Sequence, residues 1–252
     1  MQNDRENIER LSREIDEACN HPELYKSVMI CPHTPNVFQQ LGLKDLPILM
    51  SQNHVRNCLH EKGKNPRWHG LDKSDLIGLI DQLQSPALVM DSLNNDYSII
   101  AVTSAVDKDN FPIIATIRCY GEGQYEIATL QSNYLTSVYG KERFGNFLDK
   151  HVQANTLLYV DKEKVQRLEL FSQPQLLQAY SFRFGHSNII RQSSNVCQAA
   201  AYAETHKKSE IDPFIAYLDS VEDRAAVESH IAQQTQQNNN QHDPKENGNE
   251  HD

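Results

Sequence analysis

His69, Arg118, Ser137, Tyr139 and Lys141 are the residues of this sequence whose types and spacing suit chemistry on a phosphate. An imidazole takes or gives a proton near neutral pH. A guanidinium or an ammonium offsets charge gathering on a crowded phosphorus centre, and hydroxyls hold a ribose or a phosphate oxygen. His69 lies in CLHEKGKNPRWHG (Cys58 to Gly70), where Lys62, Lys64 and Arg67 add positive potential around Trp68, the only tryptophan of the chain. At the start of a helix its ring would share an anion with backbone N–H groups; as a polar turn it would bond only to backbone. Arg118 stands in PIIATIRCYG, where alternation puts Ile114, Thr116 and Arg118 on one face. There it either meets a ligand or ends a strand as a solvated charge before Gly121-Glu122-Gly123, read as a turn. Ser137, Tyr139 and Lys141 are spaced by two, so an extended backbone would aim all three to one side, whereas a helix beginning at Ser137 would scatter them.

Other chemistries lack their residues. His54 and His60 are six apart, which separates them around a helix, and no HxxxH or HExxH spacing occurs, so no metal site is expected. SAVDKDN has the acids but not the glycine and terminal glutamate of a calcium loop. With no GxxxxGK[ST], no GxGxxG after a strand and no GxSxG, nucleotide hydrolysis, dinucleotide chemistry and nucleophile-elbow catalysis are unsupported, and no cofactor is expected. Asp91 and Ser92 fit a turn ending a strand, or else the edge of a site.

The chain of 252 residues has a formal net charge of -10, which repels polyphosphates at long range, so any nucleic-acid contact must come from a local basic patch. Its five cysteines, Cys19, Cys31, Cys58, Cys119 and Cys197, are far apart and form no CxxC pair, which fits a reducing cytoplasm. No apolar run reaches the roughly 20 residues of a membrane span, and the first residues are charged, so neither an anchor nor a signal peptide is expected.

The elements that must position these side chains follow from periodicity. Ile8, Leu11, Ile15 and Ala18 predict an amphipathic helix within residues 1–24. VMICPHTPNVFQQLGLKDLPILM predicts strand, short helix and strand, with Thr34 as cap; Ser51 predicts a helix through about Glu61, and Asp72 or Ser74 another through Leu83. ALVMDS, SIIAVTSAV, PIIATIRCYG and YEIATLQS predict four strands of an antiparallel meander. A helix from Ser137 to His151, the strand TLLYVD and the helix KEKVQRLELF follow. The expectation is an α+β fold: N-terminal helices, then a four- to five-stranded, mainly antiparallel sheet over residues 25–195, then a helical extension at 196–233. Residues 234–252 have no large apolar side chain and are expected to be a disordered tail.

TPNVFQQLGLKDLPILMSQNHV, HGL, SPALVMDS, NFPIIATI, SNYLTSVYGKERF and LLYVDKEK occur in an order that resembles the phage MuF C-terminal domain family of phage head-morphogenesis proteins and mobile elements, over roughly residues 28–170. The element order is also similar to the barnase, EndoU, colicin and RelE ribonucleases. Together these resemblances imply a phage or mobile-element effector or toxin domain with metal-independent ribonuclease-like chemistry. In that reading His69 is acid or base, Arg118 and Lys141 hold phosphate, Ser137 and Tyr139 position the ribose, and Lys62, Lys64 and Arg67 assist binding. RNA is then the expected partner, with an immunity, phage or conjugation protein as a second. The alternative is a non-catalytic interaction module whose terminal helix and tail bind a protein.

Overall fold

Runs of β-branched and aliphatic residues with period two build one sheet, and capped amphipathic segments cover it. The computed structural model describes residues 2–21, 26–65, 67–126, 128–167 and 189–205. In chain order its elements are α1 (Gln2–Asn20), β1 (Ser27–Cys31), α2 (Asn36–Gln40), β2 (Ile48–Ser51), α3 (Gln52–Leu59), α4 (Lys73–Gln84), β3 (Leu88–Asp91), β4 (Ser98–Val106), β5 (Pro112–Tyr125), β6 (Ala128–Gly140), α5 (Phe144–Gln153), β7 (Leu157–Val160), α6 (Lys162–Arg167) and α7 (Ser194–Thr205). The tail expected at 234–252, and the expected extension beyond residue 205, lie outside the described residues.

The α+β class holds, but the sheet has seven strands rather than four or five, in the order β1-β2-β6-β5-β4-β3-β7. The meander β3 to β6 is as the periodicity implies. The short strands β1, β2 and β7 cannot stand alone, so they extend the meander on its two flanks. Among the described residues β2 joins β6 in the one parallel pairing, Ile48 to Met50 against Asn133 to Leu135; the others are antiparallel.

Alternation along the central strands divides the core in two. Ile99, Ala101, Ile113, Ala115, Ile117, Leu135 and Val138 face α1, α3, α4 and α7 through Leu11, Ile15, Val55, Leu76, Leu79 and Val196. Ile100, Val102 and Ile114 face the other way, against Phe144 and Leu148 of α5 and Val165 of α6. The result is three layers, with helices on both faces of the sheet.

Ser51 caps α3 as expected, its Oγ accepting the His54 N–H at 3.2 Å. Asp72 begins α4, and its N–H donates to Asp75 Oδ2 at 2.8 Å. Thr34, expected as a cap of α2, does other work: its hydroxyl donates to Leu46 O at 2.7 Å and accepts from Leu46 N–H and Asn133 Nδ2. Gly121 to Tyr125 is strand, not turn, and the chain reverses after it. Gly123 suits that strand because a Cβ there would lie 2.8 Å from both Leu49 and Tyr134. SNYLTSVYG is likewise strand through Gly140, and the helix expected from Ser137 starts only at Phe144.

Asp91, expected in a turn or at a site edge, is the buried last residue of β3, 2% exposed. Its carboxylate accepts from Arg191 Nη2 at 2.7 Å, from the hydroxyl of Ser193, and from Ser194 Oγ at 2.9 Å, so it faces the first residues of α7. Asn195 Nδ2 lies 2.8–3.0 Å from the carbonyls of Ser92, Asn95 and Ser98 and ties the β3–β4 loop to the same helix. A carboxylate so far from water is stable only with this donor set. Asp91→Asn is therefore expected to lower stability by about 3 kcal/mol and to speed amide exchange within residues 189–205. Urea unfolding together with hydrogen exchange checks both; unchanged exchange there would show that the carboxylate does not hold α7.

Candidate functional site

The connector between α3 and α4 carries His69, and its backbone folds back on the end of α3. His69 N–H donates to Asn57 O at 2.9 Å, Gly70 N–H to His60 O at 2.8 Å and Leu71 N–H to Cys58 O at 2.8 Å. Gly70 makes the reversal feasible: its φ is +66°, and a Cβ would lie 3.1 Å from both the backbone nitrogen and the Cβ of Lys62. α3 itself lies against the end of β6, where Cys58 Sγ donates to Val138 O at 3.3 Å. These contacts bring His69 onto Tyr139 of β6, the ring centroids 5.2 Å apart and the planes 29° from parallel.

The two rings belong to a cleft of about 490 Å³ that is also lined by Lys62, Trp68, Lys141 and Glu142. Lys141 follows β6, its N–H bonded to Pro112 O at 2.8 Å and its ammonium 5.6 Å from the Tyr139 ring centre and 5.0 Å from that of Phe147. Lys62 crosses the rim: its Nζ is 3.0 Å from Glu142 Oε1, 3.3 Å from Asp109 Oδ2 and 5.0 Å from the Phe111 ring centre. Part of the positive potential expected at Lys62 is thus already neutralised. Trp68 packs on His60 at 4.5 Å between ring centres.

The expected site residues divide accordingly. His69, Tyr139, Lys141 and Lys62 come together. Ser137 donates instead to Thr116 Oγ1 at 3.0 Å and does not line the cleft. Arg118 lies elsewhere on the sheet, paired with Ser98 and Tyr134, 5% exposed, with its guanidinium 5.4 Å from the Tyr97 ring centre. Because Tyr139 pairs with Ile114, Arg118 is about 13 Å further along β5. Lys64 is exposed and paired with Glu61 at 2.7 Å. Arg67 does not line the cleft, and its N–H donates to Asn65 Oδ1 at 2.9 Å. Glu142 and Trp68 are lining residues to which the sequence reading gave no role. For Glu142 the only signal was an acid next to Lys141 after the Gly140 break.

Burial sets the protonation states. It lowers the His69 pKa below 6.5, with help from the Lys62 charge, and raises that of the Tyr139 phenol above 10. At neutral pH His69 is a neutral base and Tyr139 a protonated donor. Among the described residues no group of three or more His, Cys, Asp or Glu is placed to hold a metal ion, and no helix is long and apolar enough to cross a membrane. The five cysteines are free thiols.

Residues 60–167 match the model of the phage MuF-C-terminal domain family. No curated protein and no solved structure matches the chain. The MuF-C-terminal match contains every residue named here as lining the cleft, and it starts at His60, the residue that follows α3. The phrase TPNVFQQLGLKDLPILMSQNHV, part of the resemblance read from sequence, falls before it. The likeness to the barnase, EndoU, colicin and RelE ribonucleases rests on element order and the placement of polar residues alone.

Two further histidines near this region give the molecule an acid limit. His54 is buried with its Nδ1 2.6 Å from Ser51 Oγ, and burial, reinforced by the His69 and Arg67 charges, lowers its pKa to about 4. His151 is buried 2.7 Å from Thr156 Oγ1, and burial and the Lys141 charge lower its pKa to about 4. Both bind a proton more weakly folded than unfolded, so the unfolded chain takes up more protons as pH falls. Their contribution is complete above the unfolded value of 6.5 and is lost as pH drops toward 4. Denaturant midpoints measured from about pH 7.5 to 5 are expected to fall steeply, and a folded His54→Gln or His151→Gln variant to show a shallower fall. A flat wild-type profile would overturn the assignment.

Proposed function

We propose that this chain is a phage or mobile-element effector whose MuF-C-terminal segment cleaves RNA without a metal. One observation carries the reading: a neutral, half-buried imidazole stacked on a protonated phenol, in a cleft that also holds two lysines. His69 takes the proton of a ribose 2′-OH, and the 2′-oxygen then attacks phosphorus. Lys141 and Lys62 face the added negative charge, and the P–O5′ bond breaks as the Tyr139 hydroxyl supplies the proton for the leaving oxygen. The products are a 2′,3′-cyclic phosphate and a 5′-hydroxyl, and the proton held by His69 returns to Tyr139 through water. Arg118 and Ser137 have no part in this scheme because neither lines the cleft.

The observation favouring the second reading, a non-catalytic module, is the acid pairing of Lys62 on a chain of net charge -10.

Total RNA incubated with the protein and EDTA separates the two readings. Cleavage is expected, with cyclic phosphate ends. His69→Ala and His69→Gln are expected to lower the rate roughly 100- to 10,000-fold while leaving the circular dichroism and melting temperature unchanged. The acid limb of kcat/KM is expected below pH 6.5, because protonating His69 removes the base. Wild-type protein inert toward RNA would sink the nuclease and leave the interaction module; full activity in folded His69→Ala would remove the histidine from its role.

A further inference from the structure

Trp68 has a large ring in the cleft and no part in the proton transfers. Its backbone is fixed on both sides. The Trp68 N–H donates to Asn65 O at 3.0 Å, and the next two residues, His69 and Gly70, are hydrogen-bonded to the end of α3. The His60 imidazole supports the indole at 4.5 Å between centres, tilted by 32°. A ring held in place before ligand arrives loses little conformational freedom when something stacks on it. The cleft therefore has an aromatic surface at Trp68, a second at the His69–Tyr139 stack, and the ammonium groups of Lys62 and Lys141 on the same lining.

Flat apolar faces next to cations match the two halves of a nucleotide, a π-faced base and a phosphate. A volume of about 490 Å³ falls in the range of small-molecule pockets, roughly 300–1,000 Å³, and suits about one nucleotide rather than a duplex. A paired base keeps both faces within its own stack and cannot lie on Trp68. We infer that Trp68 is a stacking platform for one unpaired nucleobase, so that the cleft selects single-stranded over double-stranded substrate. This rests on the nucleic-acid reading of the cleft and adds the conformation of the substrate to it.

Trp68 is the only tryptophan of the chain, so its own fluorescence reports on the platform. The full chain is titrated with a labelled 2′-deoxy hexanucleotide, which has no 2′-OH and stays intact. An abasic strand of the same length and a hairpin duplex serve as comparisons. Emission quenching is read together with anisotropy of the label. The hexanucleotide is expected to quench Trp68, whereas the abasic strand and the duplex bind more weakly and leave emission unchanged. Trp68→Ala is expected to weaken hexanucleotide binding roughly 5- to 150-fold, and Trp68→Phe, which keeps a ring, to recover most of the loss. Hexanucleotide binding without quenching, a duplex that binds as tightly as the single strand, or a folded Trp68→Ala variant of unchanged affinity would overturn the platform and leave the phosphate cleft standing. Absence of binding by every strand, the abasic one included, would overturn the nucleic-acid reading along with it.

Discussion

Backbone N–H and C=O groups shielded from water need partners, and the layout of this molecule follows from how β6 meets that need. On one side β6 pairs with β5 along most of its length. On the other, β2 pairs with it only from Asn133 to Leu135. Beyond that point the chain leaves β2 directly into α3, which takes over the flank, and a thiol rather than a strand meets the Val138 carbonyl. The connector after α3 is consequently drawn to the end of β6. Shortening one strand by a few residues thus sets an imidazole against a phenol.

The acid-rich composition shapes what the cleft presents. Lys62 is shared by Glu142 and Asp109, each from a different turn, so it staples two loops while facing the opening. Under the proposed function an incoming phosphate would compete with carboxylates for that ammonium, whereas Lys141 is flanked by the Tyr139 and Phe147 rings. Rings leave a cation's charge uncancelled, so Lys141 contributes more to anion attraction than Lys62. Under that proposal, selectivity is left to shape and stacking.

The parts of the fold that were legible in the sequence are those with local causes. The Ser51 cap, the β3 to β6 meander and the amphipathic α1 announce themselves through a hydroxyl, a period of two and a period of 3.6. The pairing of residues 48–50 with 133–135 has no local signature, because it is decided by which flank of the meander stays uncovered. Gly121 and Gly123 read as a turn because glycine usually breaks strands, yet the space taken by Leu49 and Tyr134 calls for a glycine inside one. In the site, the spacing of two put Tyr139 and Lys141 together but put Ser137 with them as well, and no local pattern announced the contact of His69 with Tyr139. Arg118 was misplaced because alternation gives the face of a residue but neither its height along the strand nor the ring that covers it. Asp91 misled for the related reason that its donors lie about 100 residues away in the chain.

The recognisable segment and the unit that folds are not the same stretch of chain. Residues 60–167 hold the lining of the cleft, but β2 and the whole of α3, which close the flank of β6, come before them. α7, which solvates the Asp91 carboxylate, comes after. Cut out at those limits, the segment would keep every chemical group of interest while presenting a long bare strand, the kind of surface on which chains add to one another end over end. An insoluble product from such a fragment would report the wrong boundaries rather than a defective site, and homologues are best compared over the span from α1 to α7.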